Sequence, residues 1–196
     1  RDVLARVMSA TQLTVVMAIC ATVIGVALGV AVGFLPSILP RRAAAFVVSG
    51  TGIALAFPAL LLTIVLSIVV GTGATGAVLA VGLAMIPFFA RLTQTMSASI
   101  RGRDFVSAAR VLGVSPVRIL FRHILPNVRE ALVVNASIAA GSALISFAGL
   151  SFLGLGVQPP DVDWGRMLNE GLSKIYVNPA TALAPAVAII IAGVIF

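Results

Sequence analysis

The side chains able to do chemistry are few and scattered. His123, Cys20 and Lys174 are each the single residue of their type, and no second His, Cys or carboxylate stands at metal-ligand spacing from His123. His123 therefore reads as a surface residue, and Cys20, inside an apolar run, as a helix-packing residue. The stretch "GTGATG" at 71–76 has the G-x-G-x-x-G spacing of a dinucleotide loop. That chemistry also needs a preceding strand, a following amphipathic helix and an acid about 20 residues on. None is present, so the stretch reads as a tight turn. No G-x-x-x-x-G-K-[ST] occurs, which leaves no visible means of hydrolysing ATP in this chain. No catalytic residue and no metal site is expected.

The elements that carry these residues are membrane elements. Of 196 residues 60% are hydrophobic and only 10% charged, and the mean hydropathy is +1.17. This excludes a soluble domain with a charged surface. The net charge of +7 would otherwise point to nucleic acid, but membrane topology explains it at lower cost. Only helices and closed barrels satisfy their backbone in hydrocarbon, and a helix needs about 20 apolar residues to cross. Five stretches without Asp, Glu, Lys or Arg qualify or nearly do: 12–35, 43–70, 74–90, 131–156 and 180–196. The second contains Pro58 and is long for a straight crossing, which predicts tilt or a kink. The expectation is an all-α polytopic helix bundle, one membrane domain over 1–196. Both ends read as trimmed: "RDVLAR" lacks a signal-peptide pattern, and "AVAIIIAGVIF" stops inside an apolar run.

Orientation follows from the arginines. With 104–127 in the cytoplasm, Arg41, Arg42, Arg91, Arg101, Arg103, Arg110, Arg118, Arg122 and Arg129 lie inside against Asp104 and Glu130. Arg1, Arg6, Arg166 and Lys174 then lie outside against Asp2, Asp161, Asp163 and Glu170. The positive-inside rule favours this arrangement.

The segment "DFVSAARVLGVSPVRILFRHILPN", 104–127, is a basic amphipathic stretch in an apolar chain. Asp104 is an N-cap candidate, Phe105, Val106, Ala109 and Leu112 recur at helical spacing, and Gly113 can end the helix in a left-handed conformation. Ser115 and Pro116 then read as N-cap and first residue of a second helix, closed by Pro126. A basic helix resting on anionic lipid is one explanation. The small residues Ala108 and Ala109 favour another, close approach to a protein surface.

"SAARVLGVSPVRILFRHILPN" resembles the EAA loop of permease subunits of bacterial ATP-binding-cassette (ABC) importers, with Ala108, Ala109, Gly113, Leu125 and Pro126 in its spacing. "LSFLGLGVQPPDVDWGRML", 150–168, resembles the C-type permease subunit of dipeptide, oligopeptide and nickel importers, as does "RDVLAR". Ser107 stands where the loop's name-giving Glu would be, and His123 where many members have Ile. The resemblance implies the type I ABC importer transmembrane-domain fold, with five visible spans of an expected six. It implies that the 104–127 loop carries a coupling helix, with Asp104, Phe105, Val106, Ser107, Ala108, Ala109, Arg110, Leu112 and Gly113 docking on an ATPase subunit. Implied partners are two ATP-binding cassette subunits, a second homologous permease and an extracytoplasmic substrate-binding protein. ATP and Mg would sit on the partners, and this chain would need no cofactor of its own. The implied location is the bacterial cytoplasmic membrane, and the implied solute a di- or oligopeptide, with nickel or another small solute as the alternative.

Three features outside that loop remain. Gly25, Gly29 and Gly33 repeat G-x-x-x-G, which permits close helix contact. Asn135, Ser137, Ser142 and Ser146 give the fourth span a polar face that could bond neighbouring helices or, at Asn135, Ser142 and Ser146, line the pathway. In the extracytoplasmic loop 157–179, Pro159 and Pro160 break the helix and Asp163 can cap a new one. Trp164, Met167, Leu168, Leu172 and Ile175 would then share one side of it. That helix reads either as an interfacial element anchored by Trp164 or, by the resemblance, as lying near the mouth that receives the binding protein. Gln158, Asp161, Asp163 and Trp164 are its candidate contacts. An ion-driven secondary transporter is the rival from another class, and the uncharged spans argue against it.

Overall fold

The computed structural model describes residues 3–196; Arg1 and Asp2, and their place in the outer charge balance and in the "RDVLAR" landmark, lie outside the described residues. Every regular element among the described residues is helical. The helices are α1 (Val3–Ile38), α2 (Arg41–Leu55), α3 (Ala59–Val70), α4 (Ala74–Arg101), α5 (Asp104–Val111), α6 (Pro116–Ile119), α7 (Leu125–Phe152), α8 (Trp164–Leu172) and α9 (Ala180–Ile195). A π-helical turn, Leu120–Ile124, joins α6 to α7. Among the described residues α1, α4 and the continuous α6–α7 rod are long and apolar enough to cross a membrane, with a fourth crossing if α2 and α3 are taken together. Helix α9 is apolar but has only 16 residues.

The expected second span is therefore two helices. Leu55 ends α2, and Ala56 and Phe57 bond back to Ile53 and Ala54 in tightened turns. Pro58 disfavours the helical region for Phe57 and supplies no N–H, so the chain breaks into two helices where tilt or a kink was expected. The spans also outrun their uncharged stretches. Helix α4 carries Arg91 and Arg101, and α7 carries Arg129 and Glu130. At 1.5 Å per residue α1 is about 54 Å long, well beyond a hydrocarbon core of about 30 Å.

The described chain divides into two compact units. The first comprises 3–24, Ala59–Ala84 and Ser137–Phe196. Here Ser67 Oγ donates to Leu155 O at 3.4 Å, and Gly73 N–H donates to Gly156 O at 3.1 Å. The "GTGATG" stretch is thus a turn leading into α4, with Gly71 and Gly73 at positive φ. Helix α8 packs on α9, where a Cβ on Gly171 would stand 2.5 Å from Thr181 O.

The second unit comprises Gly25–Pro58 and Met85–Ala136. In it α1 and α4 run parallel in close contact. A Cβ on Gly29 would stand 2.5 Å from Phe89 Cβ, and one on Gly33 2.5 Å from Thr93 Cβ. The G-x-x-x-G repeat is accordingly the seam between these two helices, as a stripe without side chains allows. Gln94 Nε2 donates to Thr51 Oγ1 at 3.1 Å across this unit's interior. The unit holds all nine arginines assigned to the inner side, with Asp104 and Glu130 as its acids.

Candidate functional site

Helix α5 is set by local chemistry at both ends. Its N-cap position is Arg103, not Asp104. Asp104 is the first helical residue, where a carboxylate still favours the positive end of the helix dipole. At the other end Gly113 has φ +77°. Val114 N–H donates to Ala109 O at 3.1 Å and Gly113 N–H to Arg110 O at 2.9 Å, the Schellman pair that only a left-handed residue at that position allows. Ser115 caps α6, its side chain accepting from Arg118 N–H, with Pro116 first in the helix.

Pro126 does not close this second helix. The rod continues into α7 through the π turn Leu120–Ile124. A proline ring clashes with the preceding turn of a regular helix, and a widened turn just before it relieves that clash.

Burial sorts the nine residues expected to dock into two sets. Val106 is 0% exposed and Ala109 is buried, so these two face inward and are not available to a docking partner. Asp104, Ser107, Ala108, Arg110 and Gly113 are exposed, as are Phe105 at 42% and Leu112 at 82%. Val111, which the sequence reading passed over, is 88% exposed. Spacing gave no signal for it: 105, 109 and 112 fall on one side of the helix, so periodicity does not separate the covered residues from the uncovered ones. The Phe105 ring lies 5.9 Å from the His123 ring, so His123 steadies the exposed aromatic. The result is a short capped helix whose C-terminal end leaves Val111 and Leu112 exposed.

The segment between α7 and α8 folds back on itself, with Ser151 Oγ bonded to both Asp163 and the Val157 N–H. Helix α7 ends earlier than its apolar run, at Phe152, because Gly154 (φ +77°) forms a second Schellman turn, with Leu155 N–H donating to Leu150 O at 2.9 Å. Pro159 and Pro160 lie beyond that end. Asp163 caps α8, Oδ1 accepting from Arg166 N–H at 2.8 Å, while Ser151 Oγ donates to Oδ2 at 2.7 Å. Burial raises the Asp163 carboxyl above the ordinary carboxylate range, against the pull of the Ser151 and Arg166 hydrogen bonds. Trp164 Nε1–H donates to Val7 O at 3.1 Å.

With exposures of 1% and 3%, Asp163 and Trp164 face inward. They are neither contacts for a docking protein nor an interfacial anchor, because the polar atom of each is engaged inside the unit. Met167 is buried beside them, whereas Leu168 and Ile175 are half-buried and Leu172 is exposed. Gln158 and Asp161 are exposed, although the Gln158 amide already donates to Gly154 O and Gly156 O. Glu170 pairs with Arg166 at 3.0 Å and Arg6 at 3.2 Å. Partial burial opposes its ionisation, but these hydrogen bonds and charges win and hold its carboxyl below the ordinary range.

Three side chains of the polar face of α7 bond back to their own helix. Asn135 Nδ2 donates to Ala131 O, Ser142 Oγ to Ile138 O and Ser146 Oγ to Ser142 O, all on the same helix. In the second unit it is α2 and α4 that share a buried polar contact, Thr51 with Gln94. Gln94 Oε1, Thr93 Oγ1 and Ser97 Oγ beside it are buried without partners. Thr and Ser usually bond back to their own helix, so this pairing had no sequence signal.

The fold as a whole has counterparts in known proteins. The fold matches solved structures of the MetNI methionine ABC transporter in inward-facing conformations. One match has TM-score 0.80 and 19% identity, covering 98% of this chain and 91% of that one. A second has TM-score 0.78 and 20% identity, covering 96% and 90%. The expected transporter transmembrane fold is the one found. Among curated relatives, the glutathione transport system permease protein GsiD of Salmonella paratyphi A is 38% identical over 196 residues, all of this chain and 65% of that protein. GsiD of Escherichia coli O6:K15:H31 is 36% identical over the same span. The chain thus spans just under two thirds of these relatives. Residues 25–196 match the family model described as binding-protein-dependent transport system inner membrane component, and the chain belongs to that family.

Proposed function

We propose that this chain is the membrane permease subunit of an ATP-driven importer for di- or oligopeptides. Two ATP-binding cassette subunits dock on its inner side and carry ATP and Mg. A second, homologous permease subunit completes the pathway, and a binding protein delivers solute outside. ATP hydrolysis belongs to the partners. The relatives named for glutathione transport support a peptide-type solute.

The observation that carries this reading is α5, a short helix with Val106 and Ala109 facing inward that leaves Phe105, Val111 and Leu112 exposed beside Ala108. Burying one such side chain against a partner is worth about 1.5–3 kcal/mol. Three together make a strong anchor on a helix of two turns. The confinement of the nine arginines to the second unit, which carries α5, supports its cytoplasmic assignment.

The test is co-purification. Leu112→Asp and Phe105→Asp should leave the permease in the membrane but strip the ATPase from it and abolish uptake of labelled glutathione. Full ATPase retention in the double variant would defeat the reading.

A further inference from the structure

A cavity of about 200 Å³ lies beside the C-terminal end of α5, lined by Ser37, Arg101, Arg110, Val114, Pro116, Ile119 and Ile124. All seven belong to the second unit. Several liquid waters would fit, at about 30 Å³ each. Two arginines line it, close enough that the charge of Arg110 acts on Arg101. No acid lines it, and among the described residues neither arginine has an ion-pair partner. Arg101 uses one nitrogen, Nη1, on Pro36 O at 3.3 Å, which leaves most of its five N–H donors free. Ser37 Oγ is buried without any hydrogen-bond partner. A buried orphan hydroxyl costs free energy, and so do two like charges with no counter-ion.

We propose that this cavity is a binding site for a tetrahedral oxyanion, a phosphate group, held by Arg101 and Arg110 with Ser37 donating its hydroxyl proton. Arginine's planar fork matches phosphate oxygens, and the remaining lining side chains are apolar. The group comes either as free inorganic phosphate or as the headgroup of an anionic phospholipid. Bound there, it ties α5 and the α5–α6 turn to the ends of α1 and α4. The binding itself does not depend on α5 being an ATPase-docking helix.

Two measurements on the full chain test the site, one in neutral detergent and one in lipid nanodiscs. In the first, inorganic phosphate is titrated against chloride at matched ionic strength, with binding read by calorimetry and by the thermal midpoint. In the second, the protein is placed in nanodiscs of phosphatidylcholine with and without phosphatidylglycerol, and native mass spectrometry reads the lipid retained. Charge-assisted hydrogen bonds to Arg110 predict about tenfold weaker binding in Arg110→Gln. Arg110 is exposed, so this variant folds. Ser37→Ala should weaken binding several-fold, and Arg118→Gln, whose arginine is outside the cavity, should bind as wild type. Phosphate binding lost in Arg110→Gln identifies the free ion. Phosphatidylglycerol retention lost in Arg110→Gln, without phosphate binding, identifies the headgroup. The site is refuted if wild type and Arg110→Gln behave alike in both measurements, or if Arg118→Gln loses as much as Arg110→Gln.

Discussion

Ser151 and Asp163, twelve residues apart, meet in a nearly solvent-free pocket, with Ser151 Oγ donating to Asp163 Oδ2 at 2.7 Å. The bond ties the end of α7 to the start of α8, and Asp163 bonds the Arg166 N–H with its other oxygen. One carboxylate thus closes the "LSFLGLGVQPPDVDWGRML" stretch on itself. Losing the cap in Asp163→Ala should cost about 1 kcal/mol. The loss would show as a lower midpoint for unfolding in detergent, followed by emission of Trp164, the only tryptophan.

The titration of Asp163 has a definite sign. Its folded pKa is raised, with burial the first cause, so its contribution favours folding below the unfolded value of about 3.9 and is lost as pH rises through the folded value. Asp163→Asn keeps a cap oxygen and removes the charge. Its stability should vary less than wild type's as pH rises above that range, and at neutral pH it should be at least as stable. A variant weaker than wild type at neutral pH would count against buried charge as the dominant cost.

Glu170 titrates in the opposite sense. Its folded pKa is lowered, so its stabilisation is present above the unfolded value of about 4.3 and lost as pH falls through the folded one. Both its ion pairs are partly exposed, which limits each to about 0.2–1 kcal/mol. Glu170→Gln should lose that amount at low salt and much less at about 1 M salt, where screening removes it.

Neighbouring positions on α5 should respond differently. Leu112→Asp alters an exposed side chain and should change stability by under about 0.5 kcal/mol while weakening ATPase association. Val106→Asp buries a charge and should unfold the segment. Ala109→Trp overpacks α5 against its own unit, at a cost of about 1–3 kcal/mol. A thermal melt beside the pull-down separates these outcomes.

The α1–α4 seam should be intolerant of any side chain. Gly33→Ala places a Cβ 2.7 Å from Ala90 O and 2.5 Å from Thr93 Cβ, so the helices must part, with a loss of about 1–3 kcal/mol. Gly50→Ala in α2 meets nothing within 4 Å and should be neutral, or stabilising by up to about 1 kcal/mol through helix propensity. Comparable melting of the two variants would show that the seam is not close-packed.

What the sequence determined by itself is what depends on near neighbours in the chain. Membrane residence followed from hydropathy, because hydrocarbon admits only chains whose backbone is satisfied within the segment. The turn at Gly113, the cap at Ser115 and the cap at Asp163 followed from residue chemistry, because capping is a matter of two or three residues. The G-x-x-x-G seam was legible as close contact, though its partner, α4, was not. Tertiary structure alone decided which side of each short helix is covered. Both faces of α5 are apolar or small, so no periodicity distinguishes Val106 and Ala109, which pack inward, from Phe105 and Leu112, which do not. Asp163 and Trp164 read as surface residues by their polarity, and became interior ones because Ser151 and Val7, distant in the chain, supply the hydrogen bonds that make their burial tolerable. The cavity lined by Arg101 and Arg110 is of the same kind: only the tertiary structure brings Ser37, far away in the chain, to the same cavity as the two arginines.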